Sequence, residues 1–401
     1  MPSPASADPT RIERLDALRG FALFGILIVN LGAFASPYYG LGLADPAFDG
    51  ALDRAVRWLI AAGFELKFYL LFSFLFGYSF TLQMDSAQRA GQPFVPRMLR
   101  RLLGLWLIGL AHALLLFHGD ILTTYAVLGL ALLGLRRMAE ARALPIAGLL
   151  VLLTAAGWAT LAALAAWEGA GTDPAAAAAA AQANLAGFTG APATVIAQRS
   201  RELASTGVLL GLLQAPCALA MFLCGRVAGR RQLLARPDRY RRLLRRMRAL
   251  GLRYGLPAAA LYAGIAVWQP GGALELFALA LCVLTAPLLS AAYLAWAVAA
   301  FATRGGARAA ALLAPAGRMA LSNYLLQSLV CALVFSGYGL GLMGRVSPLG
   351  GAIFAIALFG AQLRFSRWWL QRRAYGPVEW LLRAITLGAW PRRRGPAYEP
   401  H

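Results

Sequence analysis

Apolar runs close to 20 residues long recur from one end of this chain to the other, and the stretches between them are too short for a water-soluble core. A helix rises about 1.5 Å per residue, so roughly 20 apolar residues match the hydrocarbon core of a bilayer. Ten segments have this character, at about 18–36, 64–83, 99–117, 121–136, 144–167, 204–225, 252–269, 273–301, 318–337 and 348–364, of which the fourth and tenth are short. The predicted fold is an all-α polytopic membrane protein with about ten transmembrane helices. A length of 401 residues would also suit two or three soluble domains of roughly 150 residues. A composition 60% hydrophobic and 14% charged excludes that reading.

Charge gives the orientation. Of the 38 basic residues, Lys67 is the one lysine. With the N-terminus inside, 32 fall on inner segments and six on outer ones, namely Arg54, Arg57, Lys67, Arg199, Arg201 and Arg345. Short cytoplasmic loops carry the Lys/Arg excess, so both termini are expected in the cytoplasm of a bacterium, with the chain multi-pass in its plasma (inner) membrane. A net charge of +21 can signal nucleic acid, but here the arginines punctuate apolar runs and form no soluble patch. Arg11, Arg14 and Arg19 ahead of an apolar stretch ending in Ala33-Phe34-Ala35 also have the form of a secretory signal. Asp16 interrupts the basic region, and a retained first span is the preferred reading.

The chain then divides into a cytoplasmic segment 1–17, six helices over 18–225, a basic interfacial segment 226–251, four helices and a short terminal helix over 252–390, and a cytoplasmic tail 391–401. Eleven arginines and one aspartate with interleaved leucines lie in 226–253. That pattern suits a helix in the headgroup layer, with anionic lipid as partner. Its alternative use is an anionic ligand such as coenzyme A phosphates. In the outer loop 168–203, Asp173-Pro174 ahead of seven alanines predicts a capped surface helix.

Hydrocarbon penalises every unpartnered polar group, so polar residues at membrane depth are the informative ones. His112 interrupts an apolar helix that ends at His118-Gly119-Asp120. Imidazole titrates near neutrality and serves as a general base or acid; Asp120 is the candidate to orient it. Asp16 and Arg19 share a helix face at the inner edge, as an anchoring ion pair or as a phosphate-recognition element. Asn30, eleven residues above Arg19, reads as helix–helix glue or a substrate contact. Asn323 and Gln327, four apart, either bond a neighbouring helix or line a cavity. Glu65, His118, Arg318 and Glu379 are secondary candidates; Lys67 is expected to snorkel and Glu379 to cap locally or pair with Arg383.

No metal site or structural disulfide is expected, because the four cysteines lie in apolar runs without a Cys/His ligand set. A P-loop, a dinucleotide fingerprint, a nucleophile elbow and a zinc-protease motif do not occur in the sequence. A permanently bound cofactor is not expected either.

Arg14-Leu15-Asp16-Ala17-Leu18-Arg19-Gly20 with Asn30, and His112 through Asp120 with Tyr125, resemble the YeiB family of bacterial membrane proteins. So do Gly317 through Leu325 with Gln327, Tyr338-Gly339-Leu340-Gly341, and Tyr375-Gly376-Pro377 with Glu379-Trp380. The family is in turn similar to transmembrane acyltransferases of the acyltransferase-3 and heparan glucosaminide acetyltransferase kind. The elements in common are Leu15 through Gly20, Phe72 through Gly77, and Arg100-Arg101. That resemblance implies transfer of an acyl group from a cytoplasmic donor, acyl-CoA, to a sugar on the far side, with Arg19, Arg100 and Arg101 on the donor phosphates. Acyltransferase-3 proteins have a histidine where this chain has Asn30, so the base must come from elsewhere. His112 with Asp120 is the best local replacement, on condition that a water-accessible passage joins the inner arginines to it.

Two other readings remain open at this level. A transporter or flippase for a small or lipid-linked solute fits the same helices, although no pair of Gly/Pro-broken helices is evident in matching halves. A non-catalytic membrane scaffold has no positive signature.

Overall fold

Long apolar stretches separated by Gly, Pro and charged residues become helices, and the described residues contain no strand. The structure is a computed structural model that describes residues 9–169, 171–205 and 207–390. Residues 1–8 and the tail 391–401, assigned above to cytoplasmic ends, lie outside the described residues. Sixteen α-helices follow one another among those residues: α1 (Pro9–Ala35), α2 (Ala51–Gly63), α3 (Lys67–Arg89), α4 (Phe94–Leu115), α5 (Leu122–Gly134), α6 (Glu140–Trp167), α7 (Pro174–Thr189) and α8 (Pro192–Ser205). The second half holds α9 (Gly207–Arg230), α10 (Arg241–Leu250), α11 (Leu256–Trp268), α12 (Ala273–Phe301), α13 (Arg304–Arg318), α14 (Ala320–Phe335), α15 (Pro348–Leu370) and α16 (Pro377–Leu387).

Seven helical runs among the described residues are long and apolar enough to cross a membrane, and the chain is a multi-pass helical protein. These are α1, the run 51–89, α4, α6, the run 237–268, α12 and α15. Joined α13 and α14 would make an eighth, bent by 78°. The other two segments drawn from the sequence fall outside that set. α5 has 13 residues, about 20 Å of helix, less than a bilayer core. α9 has 24 residues and lies inside the bundle against α3 and α6.

Lipid is as apolar as leucine, so burying leucine adds little between membrane helices and close backbone packing matters more. Two crossings show it. A Cβ at Gly77 of α3 would fall 2.1 Å from the Phe222 carbonyl of α9, and one at Gly225 of α9 would fall 2.0 Å from the Phe74 carbonyl of α3. The same reciprocity joins α1 to α13, where a Cβ on Gly317 would lie 1.8 Å from the Asp16 carbonyl and one on Gly20 2.5 Å from that of Leu313. Around the first crossing, Phe76 stacks on Phe222 at 4.5 Å, and Tyr125 of α5 meets Phe222 edge-on at 5.0 Å.

Segments assigned to one side by charge meet in space. Arg226 is fully buried and donates to the Arg136 and Met138 carbonyls, and Arg231 pairs with Glu140 at 2.7 Å. The outer loop folds as the alanine run predicts: Asp173 accepts a hydrogen bond from Ala175 N at 2.9 Å, and Pro174 opens α7. Lys67 does not snorkel. It is 0% exposed and its Nζ donates to Ala61 O at 2.9 Å, a carbonyl in the last turn of α2 that the helix itself leaves unsatisfied.

Candidate active site

The α4–α5 hairpin builds an imidazole–carboxylate pair from residues eight positions apart. Asp120 precedes α5, and its Oδ2 accepts from Thr123 N at 2.7 Å and from Thr123 Oγ1 at 2.8 Å, as a capping acid does. Its other oxygen, Oδ1, is thereby aimed at α4 and lies 2.8 Å from His112 Nδ1. Both side chains are 1% exposed. Gly109 permits the approach, since a Cβ there would lie 2.7 Å from Thr123 N and 2.9 Å from Asp120 Oδ2. A carboxylate on Nδ1 holds the ring proton there and leaves Nε2 as the basic nitrogen. Nε2 is buried and makes no hydrogen bond. The ring packs 4.9 Å from that of Tyr324 and 6.3 Å from that of Phe117.

Phe117, packed on His112, also lines a small void. The void measures about 10 Å³, the room of one water, and is lined by Phe34, Phe117, His118, Arg199, Phe335 and Ser336. Phe34 and Phe117 stack at 4.5 Å. Arg199 is 2% exposed; it donates to the Leu115 carbonyl and lies over the Tyr338 ring at 4.8 Å. Sequence reasoning missed it as a site residue, because an outer arginine carries no local sign of being drawn inward. Burial, and then the Arg199 charge, pull the neighbouring His118 down to about 4.

His118 therefore stays neutral in the folded chain at pH values where the unfolded chain, titrating near 6.5, takes up a proton. Stability is expected to be complete above about pH 6.5 and to fall by about 2 kcal/mol as pH drops toward 4. His118→Gln should flatten that part of the profile in a thermal unfolding series. An unchanged profile would show that the ring titrates as it does in water.

Around the start of α1 and of α4, guanidinium groups crowd together. Arg19 pairs with Asp16 at 2.7 Å and donates to Ser79 Oγ at 2.6 Å. Arg318 also lies within electrostatic reach of Asp16. Arg101 has Arg19, Arg97 and Arg383 near enough to repel it and Glu379 to attract it, yet among the described residues it makes no ion pair. Arg100 Nη1 lies beside Gly388. Glu379 is otherwise engaged: Oε1 accepts from Leu321 N at 2.8 Å and Ser322 N at 3.0 Å, and Oε2 accepts from the Ser322 hydroxyl. It caps α14 from across the fold, and Arg383 lies instead over the Tyr375 ring at 4.8 Å. Burial pushes the Glu379 carboxyl above its ordinary value, against the pull of those donors.

The other sequence candidates fall elsewhere. Asn323 donates to Ala316 O at 3.1 Å and Ser366 Oγ at 2.8 Å, and Gln327 donates to Gln362 Oε1 at 2.8 Å. Both are buried links from α14, chiefly to α15, and line neither of the two best-formed cavities. Asn30 is half-buried on α1, one turn before Phe34. Glu65 accepts from Tyr262 Oη at 3.3 Å and forms no ion pair with Lys67. The passage from the inner arginines to His112 is not open in this structure: His112 is 2% exposed, with Phe117 and Tyr324 closed over it. No group of His, Cys, Asp and Glu suited to a metal occurs among the described residues.

Fold and site together define a multi-pass helical membrane protein with a buried imidazole–carboxylate pair and an arginine cluster. Residues 228–389 match a family described as "Protein of unknown function (DUF418)". The chain is 34% identical to "Uncharacterized protein YxaH" of Bacillus subtilis (strain 168), over 96% of this chain and 98% of that one. It is 31% identical to "Uncharacterized protein YeiB" of Escherichia coli (strain K12), over 96% and 97%. A Bacillus acidopullulyticus protein, "Uncharacterized 39.9 kDa protein in amylase 3'region", is 27% identical over 94% of each. The chain belongs to this YeiB-type DUF418 family, as its motifs predict. None of these descriptions names an activity, and no solved structure gives a significant match.

Proposed function

We propose that the chain is an acyltransferase of the bacterial plasma membrane, with about ten membrane segments and both termini in the cytoplasm. The observation that carries this reading is the His112–Asp120 pair, oriented by Thr123 and with Nε2 left free. His112 Nε2 takes the proton of an acceptor hydroxyl, whose oxygen attacks the acyl carbon of a thioester. The thiolate leaves and receives that proton, which balances the transfer. Arg19, Arg100 and Arg101 hold the phosphates of the donor, for which guanidinium groups are well suited; the uncompensated charge around Arg101 supports this.

Arg101 and His112 lie on one helix, about 16 Å apart along its axis. A donor with a long arm between phosphates and acyl group, as in acyl-CoA, suits that separation. Access for donor and acceptor requires both rings packed on His112, Phe117 and Tyr324, to move off it. The resemblance of Leu15 through Gly20, Phe72 through Gly77 and Arg100-Arg101 to transmembrane acyltransferases supports the same reading.

The test is purified protein with radiolabelled acetyl-CoA and a membrane extract as acceptor source. Label should pass to an acceptor, and Arg101→Gln should raise the donor KM about tenfold or more with kcat little changed. Labelled product formed equally by the wild type and Arg101→Gln at low donor would remove the arginines from the donor site. No transfer, with no binding of acetyl-CoA, would overturn the reading.

A second reading, movement of a small or lipid-linked solute, is favoured by one observation. The break between α13 and α14, at Met319, bends the pair by 78°, and interrupted helices mark many transport sites. Flux in proteoliposomes without covalent change of the solute would favour it.

A further inference from the structure

Between α11 and α12 the surface carries an open groove of about 300 Å³, lined by Arg253, Tyr254, Pro257, Leu261, Leu281 and Thr285. Its floor and walls are apolar, and Leu261 and Leu281 are 50% and 42% exposed. At one end stands Arg253, its guanidinium 5.7 Å from the Tyr254 ring. The helix run carrying Arg253 begins at α10, whose Arg242, Arg245, Arg246 and Arg248 form no ion pair among the described residues. From Arg239 to Leu274 the sequence contains no acidic residue at all. The chain thus sets the Arg253 guanidinium on an apolar groove between two helices, on the same helical run as the arginines of α10.

The backbone departs from a regular helix just here. Residues 251–255 form a π-helical turn between α10 and α11. Its glycines press on α12: a Cβ at Gly251 would lie 2.4 Å from Ala292 Cβ, and one at Gly255 2.8 Å from Leu289 Cβ. Such turns are rare and concentrate at functional sites. This one seats the helix tightly on α12 through Gly251 and Gly255 while Leu252, Arg253 and Tyr254 remain exposed on the other side.

We infer that this groove is a binding site for one anionic phospholipid of the inner leaflet. Its phosphate sits on Arg253 and the arginines of α10, and one acyl chain lies along Pro257, Leu261 and Leu281. Charge complementarity selects the headgroup, since guanidinium groups that form no ion pair favour a net negative lipid over a zwitterionic one. The apolar channel selects a lipid over a soluble phosphate. The inference is independent of the acyl-transfer reading.

The experiment uses the full chain purified in detergent and exchanged into equal amounts of phosphatidylglycerol and phosphatidylcholine with identical chains, with retained lipid counted by native mass spectrometry. Phosphatidylglycerol should be retained at least tenfold over phosphatidylcholine. The pair Arg248→Gln and Arg253→Gln should abolish that preference. Leu281→Trp, at an exposed position that folding tolerates, should reduce retention of either lipid by filling the channel. Equal retention of the two lipids by the wild type would overturn the inference. So would preference untouched by the arginine changes, or displacement of phosphatidylglycerol by millimolar glycerol 3-phosphate, which would mark a site for free phosphate.

Discussion

Replacing His112 by glutamine is expected to lower acyl transfer at least about 100-fold, the lower end of what a positioned general base contributes. The melting temperature of the detergent-solubilised protein should change little, because glutamine keeps the ring's approximate volume and a donor toward Asp120. Asp120→Asn is expected to cost a comparable factor by a different route. Its side-chain oxygen can still cap Thr123, so the hairpin stays folded, but an amide presented to Nδ1 favours the wrong imidazole tautomer. Turnover in both variants, measured with saturating donor, separates chemistry from binding. Undiminished turnover in His112→Gln would remove the base from the mechanism, whatever the arginines do.

A large structural effect should come from Gly225→Ala. A methyl there meets the Phe74 carbonyl at 2.0 Å, and the obstacle is backbone, which cannot rotate away. Helices α3 and α9 must separate, which also unstacks Phe76 from Phe222. A loss of about 3 kcal/mol is expected, toward the upper end for overpacking a well-filled interior. Gly77→Ala should do nearly the same, and the double variant should cost less than the sum, since either methyl alone opens the same crossing. Gly264→Ala in α11 is the control: nothing lies within 4 Å of its added Cβ, and alanine is the better helix former. Thermal unfolding of the four variants and the wild type in one detergent gives the comparison, and equal stability of Gly225→Ala and the wild type would mean the helices pack less closely than described.

The parts of this molecule that could be read in advance are those whose cause is local. Apolar runs foretell helices because hydrophobicity belongs to the segment itself. Asp173 and Pro174 start α7 as expected because capping acts within one turn. His112 and Asp120 can be matched from sequence because only eight positions separate them. Where the cause is distant, the sequence was silent or misleading. Glu379 takes its hydrogen bonds from residues 57 and 58 positions away, so nothing near it announces that it caps α14. Lys67 looked interfacial, but a break in the helix, with Leu66 at φ 65°, turns its amine back onto α2. The open passage was inferred from a row of polar residues on different helices; Phe117 and Tyr324, both apolar in character and far apart in sequence, close it.

The placement of the imidazole and its carboxylate on adjoining ends of a single hairpin bears on how the molecule is made. Both emerge from the ribosome within a dozen residues of each other, about 200 residues before Tyr324, so the hairpin that pairs them is complete in sequence while more than two-thirds of the chain is still unsynthesised. Later helices are then a cover added over that hairpin, and the order of synthesis, from the hairpin to α14, separates making the imidazole–carboxylate pair from shielding it.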